Sequence, residues 1–407
     1  MASELVELRG HIIDSLLLPK VLDEIIARDG RFELENLVVG RLREDPSHAR
    51  IRVEADTPEL LDKILTRIQE HGAEQVVEVE ARLAPAPSDG VFPEGFHVTS
   101  NHPTEVRFEG RWLPVLPQRM DCAIVIDPGA SAARAVRFAQ VRAGDRVVVG
   151  HRGVRVLPVQ RDVRRTDTFE FMGSDVSAEK PKAVAIRAVA ETIRETRTAG
   201  KRILLVAGPA VVHTGAAPHV VRLIEQGYVD LLFAGNALAV HDIERSLYGT
   251  ALGVHLDHGL PVEAGHQHHL HAINRIRAAG GIRPAVESGL LTSGIMHACV
   301  QHNVEYVLGG SVRDDGPLPE VITDVTRAQL AMAERLEAGP PVGFALMVAT
   351  MLHSIATGNL LPASCRVACV DINPSVVTKL ADRGSFQAVG IVTDVEPFFH
   401  ELLTYLA

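Results

Sequence analysis

The chain has 407 residues, 46% of them hydrophobic, and a formal net charge of −10 at pH 7. This acidic balance argues against a nucleic-acid scaffold with a basic surface, and no apolar run reaches the about 18 residues that span a bilayer. Four cysteines are too few for a disulfide framework, and the charged, amphipathic N-terminus lacks the pattern of a secretion signal. We therefore expect a cytoplasmic globular protein of two or three domains, without nucleic-acid or membrane partners.

The first region, residues 1–90, has the pattern of a ferredoxin-like module. Its alternating and helical spacings follow the order strand, helix, strand, strand, helix, strand. The predicted strands are 5–13, 32–42, 49–54 and 75–80, and the predicted helices are 18–28 and 58–70, the second capped by Thr57. Such modules more often position, regulate or oligomerise than catalyse, and we expect a homo-oligomer.

The second region, residues 91–182, follows a linker rich in proline, alanine and glycine, ARLAPAPSDGVFPEG. Short apolar runs with tight turns predict a small β-rich module as far as about residue 160. The polar segment 170–182 then predicts a linker or a lid.

The third region, residues 183–407, opens with a predicted helix at 184–198 and then alternates apolar strands with helices. The runs 203–206 and 231–233 stop at the small-residue turns AGPA and AGNA. Similar turns recur in YVLGGSVRDDGP, FALMVATMLHS, VACVDINPS and GIVTDVEP. This pattern predicts a parallel α/β sheet in which one edge collects turns that a phosphate or ribose can approach, typical of a nucleotide-binding enzyme domain.

These strand-end turns supply the candidate cofactor-binding residues. They are Gly208, Pro209, Asn236, Ala237, Gly310, Asp314, Thr350, Met351, Leu352, His353, Asp371, Asp394 and Val395. Asp371 is the strongest candidate, because a carboxylate just past a buried strand can accept both ribose hydroxyls and disfavours a 2′-phosphate, which favours NAD.

Each polar candidate also has a structural alternative. Asp371 and Asp394 could cap the helices that follow them, and Asn236 could form an Asx turn. Asp314 and Asp315 could lie in a solvated turn, whereas Met351 and Leu352 could pack internally or sandwich a cofactor ring. Because no GxGxxG is present, we expect a non-standard NAD-binding domain resembling the deoxyhypusine-synthase type.

Six of the 19 histidines fall between His255 and His271, where Gly259, Pro261 and Gly265 predict a mobile loop over the sheet. His266, His268, His269 and His271 could ligate a metal or lie on the surface, but their spacing matches no standard zinc motif. We therefore predict no metal, and we take Glu263 and His269 as possible proton carriers.

Glu287, in AVESG, is a charge among small apolar residues, which predicts a raised carboxyl pKa. A buried carboxylate paired with an arginine is the alternative reading of this residue.

The segments AGPAVVHTGA, GNALAVHDIE, RDDGPLP, ATMLHSIATGNLLP and CVDINP resemble the archaeal-type ornithine cyclodeaminases. The first 90 residues or so resemble the conserved region named after lysine-oxoglutarate reductase/saccharopine dehydrogenase. A related module forms the C-terminal part of cyanobacterial arginine dihydrolase/ornithine cyclodeaminase enzymes.

The resemblance implies NAD-dependent conversion of L-ornithine to L-proline and ammonia, without a metal and without arginine hydrolysis. On this reading Asp121 could bind the ornithine ammonium group, and Glu287 and His269 are candidate catalytic residues. Two other classes stay open: an NAD-dependent amino-acid dehydrogenase or reductase, and a non-catalytic protein that senses NAD or an amino acid.

Overall fold

The computed structural model describes residues 2–13, 16–40, 45–76, 79–129, 131–157, 182–252, 254–255, 267–314, 316–381 and 388–407. The chain divides into two compact units, Met1–Glu170 with Leu361–Ser364, and Phe171–Leu360 with Cys365–Ala407. Within the described residues, no helix is both long and apolar enough to cross a membrane.

The first unit begins with a four-stranded antiparallel sheet and two helices. In chain order these are β1 (Ala2–Gly10), α1 (Leu17–Ile26), β2 (Arg31–Val38), β3 (Ser47–Ala55), α2 (Pro58–Gln69) and β4 (Glu74–Gln75). The sheet order is β2-β3-β1-β4. Thr57 caps α2 as predicted, because its hydroxyl accepts a hydrogen bond from the Leu60 N–H at 3.2 Å. The last strand is shorter than predicted, and residues 77–78 lie outside the described ranges.

A seven-stranded sheet forms the rest of the first unit. Its strands are β5 (Arg82–Pro85), β6 (Thr104–Phe108), β7 (Arg111–Leu116), β8 (Ala123–Val125), β9 (Ala133–Val136), β10 (Arg146–Val149) and β11 (Val154–Val156). They lie in the order β11-β6-β7-β9-β8-β10-β5, and all neighbours are antiparallel except β7 and β9. Short strands are observed from β6 to β11, as expected for this stretch. Residues 82–85, which the sequence analysis placed in a linker, instead form β5 and pair with β10.

The second unit is built on a seven-stranded parallel sheet. Its strands are β12 (Arg202–Ala207), β13 (Leu231–Gly235), β16 (Glu305–Gly309), β17 (Val321–Ile322), β18 (Val342–Val348), β19 (Arg366–Asp371) and β20 (Ala388–Val392). A separate hairpin pairs β14 (Thr250–Ala251) with β15 (Val254–His255). Every residue of β18 is buried, as expected for a strand that is covered on both faces.

Helices flank this sheet. They are α3 (Lys182–Thr198), α4 (Ala210–His213), α5 (Ala217–Glu225), α6 (Asn236–Tyr248), α7 (His268–Ala279), α8 (Ile282–Glu287), α9 (Ile295–Gln301), α10 (Val325–Glu337), α11 (Met351–Gly358), α12 (Pro374–Ala381) and α13 (Val395–Leu406). The core between helices and sheet is aliphatic, with the rings of Phe344, Phe398 and Phe399 among its members.

The strand order β17-β16-β13-β12-β18-β19-β20 places the first strand of the unit in the centre of the sheet. The chain steps outward from β12 through β13 and β16, returns to β18 beside β12, and steps outward in the other direction to β20. Apart from the added edge strand β17, this is the doubly wound order of Rossmann-type sheets. The parallel sheet predicted from the sequence is confirmed, and the winding reverses between β12 and β18.

A buried carboxylate joins two of the helices. Asp242, on α6, is fully buried, and its two oxygens accept hydrogen bonds from the Ile295 and Met296 N–H groups, each at 2.8 Å. These groups open α9, so Asp242 caps that helix from outside its own sequence. Burial raises the pKa of the Asp242 carboxyl to about 6. A Cβ at Gly294 would lie 2.7 Å from its Oδ2, so the capping leaves no space for a side chain there.

Removing this carboxylate should destabilise the protein more than removing an ordinary helix cap. Asp242→Ala leaves two buried N–H groups without acceptors, and we expect a loss of about 2–4 kcal/mol in the free energy of unfolding. Asp324→Ala removes the exposed cap of α10 and should cost about 1 kcal/mol. Urea unfolding of both variants measures the difference, and equal losses would contradict the proposed linkage of α6 to α9.

Candidate active site

The carboxyl ends of β12 and β18 meet at the point where the winding reverses. The Gly208 N–H donates to the Val348 carbonyl oxygen at 3.0 Å, and a Cβ at Gly208 would collide with the Ala349 carbonyl oxygen. Ala349 has φ 51, in the left-handed region that residues with a side chain seldom adopt. The two turns therefore approach each other backbone to backbone, and only glycine fits at position 208.

The imidazole of His353 lies over two further strand ends. His353 is in the first turn of α11, and Cβ atoms at Gly235 and Gly309 would lie 3.2 Å from its Cε1 and 3.0 Å from its Nε2. Burial lowers the pKa of His353, and the Asp314 carboxylate opposes that shift only in part. At neutral pH the strand-end glycines are thus covered by an uncharged ring that can donate or accept a hydrogen bond.

Helix capping divides the carboxyl edge of the sheet into an inner and an outer part. The helices that follow the outer strands β17, β19 and β20 begin with a side-chain cap, from Asp324, Asn373 and Asp394 respectively. The N-cap residues of the helices that follow the inner strands β12, β13 and β18 are Pro209, Gly235 and Thr350, and in the described chain no side chain caps these helices. In α4 the Val211 and Val212 N–H groups donate to the Gly208 and Pro209 carbonyl oxygens, so the open N–H groups are those of α6 and α11. Free N–H groups at a helix start attract anions, so the inner edge is suited to phosphate.

The amide of Asn236 is occupied by a loop. Its Nδ2 donates to the Gly316 carbonyl oxygen at 3.3 Å, and its Oδ1 accepts from the Leu318 N–H at 3.1 Å. Asn236 is thus neither in an Asx turn nor free; it fastens the RDDGPLP loop to the start of α6. The next residue, Ala237, is partly buried in the first turn of α6.

The Asp314 turn and Gly310 shape the end of β16. Asp314 Oδ2 accepts from the Ser311 N–H at 2.8 Å, which matches the solvated-turn alternative for this residue. The Gly310 N–H donates to the Ile322 carbonyl oxygen at 2.9 Å, and a Cβ at Gly310 would lie 3.0 Å from Thr323 Cα. Asp315 lies outside the described ranges.

Asp371 is the last residue of β19, and only one of its carboxylate oxygens accepts a hydrogen bond from the described residues. Its Oδ1 accepts from the Asn373 N–H at 2.8 Å, and Asn373 rather than Asp371 caps α12. Asp371 Oδ2 makes no hydrogen bond to the described residues. The neighbouring turns expose Leu352 (74%) and Ile372 (70%), together with part of Met351, so an apolar rim lies beside this carboxylate.

Asp394 and Val395 have structural roles at the end of β20. Asp394 Oδ1 accepts from the Val395 N–H at 2.6 Å and caps α13, the alternative that the sequence had left open. The side chain of Val395 is buried in the core of the unit.

Two sequence-based expectations about the catalytic residues are wrong. Glu287 is exposed at the end of α8, so it does not have the apolar surroundings predicted for it; the apolar neighbours in sequence point to the other side of the helix. His268, His269 and His271 belong to α7 and not to a loop. Residues 256–266, including Glu263 and His266, lie outside the described ranges.

Asp121, the candidate for the substrate ammonium group, belongs to the first compact unit. It is exposed, has φ 58, and its N–H donates to the Thr99 carbonyl oxygen at 3.0 Å. Asp is among the residue types that tolerate this left-handed conformation.

A polar network around Glu244 was not found by the sequence analysis. Glu244 is fully buried on α6, and its carboxylate accepts from Thr250 Oγ1 at 2.9 Å and from the Leu252 N–H at 3.3 Å. His241 Nδ1 lies 2.9 Å from Glu244 Oε2, and His268 Nδ1 lies 2.8 Å from Thr250 Oγ1. Since a carboxylate only accepts, Nδ1 of His241 carries the proton and Nε2 is left as an acceptor when the ring is neutral.

His213, the last residue of α4, extends this network. Its ring meets His241 edge to face at 4.7 Å between centroids, and the rings of His241 and His269 are 6.5 Å apart. Burial, with a smaller effect of His241, lowers the pKa of His213 to about 4. His213 Nε2 is buried and has no hydrogen-bond partner among the described residues, which is a position for a ligand or water.

One sequence signal pointed to this network. His241 and Glu244 are three residues apart on the helix that follows the AGNA turn, so they share one face of α6. The sequence-based prediction instead took its proton carriers from the denser histidine run at 255–271.

Three family models together match residues 3–402 of the chain. The model described as "LOR/SDH bifunctional enzyme conserved region" matches residues 3–102, and "Arginine dihydrolase ArgZ-like, C-terminal, first region" matches residues 103–186. "Arginine dihydrolase ArgZ-like, C-terminal, Rossmann fold" matches residues 187–402.

Among solved structures, apo ArgZ superposes with a TM-score of 0.86 at 37% identity, over 100% of this chain and 58% of ArgZ. AgrE in ternary complex with ornithine and NAD⁺ has a TM-score of 0.54 at 40% identity, over 100% of this chain and 57% of AgrE. The chain thus corresponds to somewhat more than half of these bifunctional proteins.

Two archaeal relatives correspond to the chain over nearly their full lengths. The ornithine cyclodeaminase of Methanopyrus kandleri is 54% identical over 99% of this chain and 97% of its own length. That of Methanothermobacter thermautotrophicus is 52% identical over 98% of this chain and 96% of its own length. With this identity along almost the whole sequence, the protein belongs to the family of the archaeal ornithine cyclodeaminases, to which the C-terminal parts of ArgZ and AgrE are related.

Proposed function

We propose that the protein is an NAD-dependent ornithine cyclodeaminase, which converts L-ornithine to L-proline and ammonia. Archaeal relatives that are 50–54% identical bear that name, and AgrE has been crystallised with ornithine and NAD⁺. Within the chain itself, the observation that carries the proposal is the change in helix capping along the sheet edge. Helices α6 and α11 leave their first N–H groups to a ligand, close to the point where doubly wound sheets bind dinucleotides.

The residues at this edge fit NAD. The uncapped starts of α6 and α11 suit its two phosphates, and the backbone at Gly208 lies where a Cβ is excluded. Asp371 Oδ2 is available for a ribose hydroxyl, and the rim of Met351 and Leu352 offers apolar surface to a ring. We propose that Asp394 caps α13 and that Val395 packs in the core. The other strand-end candidates are proposed to contact the cofactor.

We further propose that the domain departs from the ordinary dinucleotide fold at its first turn, in the direction of the deoxyhypusine-synthase type. In place of GxGxxG and a long helix, β12 is followed by the four-residue α4. We also retain residues 1–90, 91–182 and 183–407 as domains, except that β5 (Arg82–Pro85) pairs with β10 and therefore belongs with the second domain. The first domain is ferredoxin-like, as its sheet order supports. A cytoplasmic homo-oligomer remains our expectation, and the exposed Leu37 and Val38 on edge strand β2 favour it.

When bound, NAD⁺ would supply a hydride acceptor for the α-carbon of ornithine and, once reduced, a hydride donor for the cyclic imine. The chain must then hold and move the amine protons. We assign this task to His241, whose tautomer Glu244 fixes, with His213 and His269 beside it. His213 remains neutral, so its unpartnered Nε2 can accept or donate one hydrogen bond to the substrate. Asp121 is kept as the proposed contact for the substrate ammonium group.

Asp371→Ala should weaken NAD⁺ binding by about 1–2 kcal/mol, because one hydrogen bond to a charged acceptor is worth roughly 1.5–3 kcal/mol and water restores part of the loss. Asp371→Asn is the matched control: it keeps an acceptor for the Asn373 N–H and should instead improve the binding of NADP⁺. Isothermal titration calorimetry measures both affinities. An unchanged NAD⁺ affinity in the alanine variant would exclude the ribose contact.

Deuterium on the α-carbon of ornithine should be recovered on the α-carbon of proline. A hydride held by the nicotinamide does not exchange with water, so little label should be lost. Mass spectrometry of the proline locates the label, while absorbance follows free NADH. Stoichiometric NADH release would indicate an amino-acid dehydrogenase, NAD binding without ammonia would indicate a sensor, and label found in water would exclude the hydride mechanism.

Glu244→Gln should lower kcat by roughly 10²-fold, the lower end of what a general acid–base group contributes, because His241 loses the carboxylate that fixes its tautomer. Glutamine has the same shape and can still pair with Thr250, so the fold should be retained; circular dichroism and the melting temperature check this. Glu287→Gln, on the surface of α8, is the matched control and should keep full activity. If the control loses activity and Glu244→Gln does not, proton transfer belongs to Glu287 after all.

A further inference from the structure

Three side chains that could ligate a metal converge outside the residues that we assign to the reaction. His219 lies in the first turn of α5, and Glu396 and His400 lie near the start of α13. His219 Nε2 is 3.1 Å from Glu396 Oε1, and the rings of His219 and His400 meet edge to face at 5.6 Å between centroids. One ligand atom from each residue can be chosen so that all three lie within 4.8 Å of one another.

Rigid elements hold these donors. Glu396 and His400 are four residues apart, so they project from the same face of α13. The opposite face of that helix is anchored in the core by Phe398, Phe399 and Leu402, all fully buried. Val220 and Leu223 anchor α5 in the same core. Ligands on packed helices are placed more accurately than ligands on loops, which favours a preformed site.

The donor set is that of a divalent transition metal. Two imidazole nitrogens and a carboxylate oxygen suit Zn²⁺, Co²⁺ or Ni²⁺, whereas Mg²⁺ and Ca²⁺ prefer oxygen ligands. Donors of a tetrahedral ion at about 2.1 Å lie about 3.4 Å apart, so the His219–Glu396 spacing already fits and the donor atom of the exposed His400 has to move by about 1.4 Å at most. An ion pair between His219 and Glu396 would not require the His400 imidazole to lie beside them, whereas a metal site would.

We propose that His219, Glu396 and His400 form a Zn²⁺-class site that clamps α5 to α13, with water completing the coordination. None of the three is among the residues that we propose to contact the cofactor or to form the Glu244 network, so the inference does not rest on the proposed function. The ion would stabilise the folded protein by binding only when both helices are in place. Hydride transfer and proton transfer would proceed without it.

The full-length protein, freed of metal by chelation and dialysis, is titrated with ZnCl₂ by calorimetry and with CoCl₂ by visible absorbance. We expect a site of one equivalent with the spectrum of nitrogen- and oxygen-bound Co²⁺, and a Zn²⁺-dependent rise in melting temperature. His219→Ala and His400→Ala should each weaken this binding by at least about tenfold and abolish the rise in melting temperature.

Glu396→Gln separates a metal ligand from a structural hydrogen bond, because glutamine can still bond to His219 and lacks the charge. It should bind Zn²⁺ more weakly and melt, without metal, at the temperature of the unaltered protein. His302→Ala, an exposed histidine elsewhere, should leave binding unchanged. Undiminished one-equivalent binding in the His219 and His400 variants would place the metal elsewhere, for example on the histidines at 255–271, and would overturn the proposal.

Catalytic activity supplies the last arm of the test. The metal-free protein and the Zn²⁺-loaded protein should convert ornithine at equal rates. Activity that disappears on chelation and returns with one specific metal would contradict the separation of this site from the reaction.

Discussion

The contact on which the second unit depends is the approach of two backbones at the centre of its sheet. Parallel strands all end at one edge, and the turns after β12 and β18 pack so closely that position 208 excludes a Cβ and Ala349 takes a left-handed conformation. This contact sets the place where helices diverge to opposite faces of the sheet. No side chain fits between the two turns, so main-chain atoms line this part of the sheet edge.

The helix caps along the sheet edge differ between the outer strands and the strands beside these two turns. Asp394, Asn373 and Asp324 satisfy the first N–H groups of the outer helices at the same edge, so the chain is well able to cap a helix there. The starts of α6 and α11 are left open only beside the reversal of winding. Nothing in the fold of this unit requires these two helices to lack a cap. An anionic ligand that accepts from their N–H groups would explain it.

Helix α6 links stability to the site. Its first residue, Asn236, ties down the loop after β16; Asp242 caps α9; and Glu244 orients His241. The two carboxylates are both fully buried and only two residues apart, yet they differ in their partners. Asp242 accepts from main-chain N–H groups and holds the fold together, while Glu244 faces a set of side chains that can exchange protons.

The sequence by itself determined the parallel sheet, the order of its elements and most strand-end residues, because hydrophobic runs and small-residue turns are local signals. It also determined the Thr57 cap and, through motifs along its whole length, the family. Tertiary structure decided which polar strand-end residues are free. Asp371 and Asp394 both follow the end of a strand. Asn373 caps α12, which leaves one oxygen of Asp371 free of capping, whereas Asp394 itself caps α13. Burial of Glu244 and exposure of Glu287 were likewise settled by which helix face meets the core, and a run of neighbours in sequence does not specify that face.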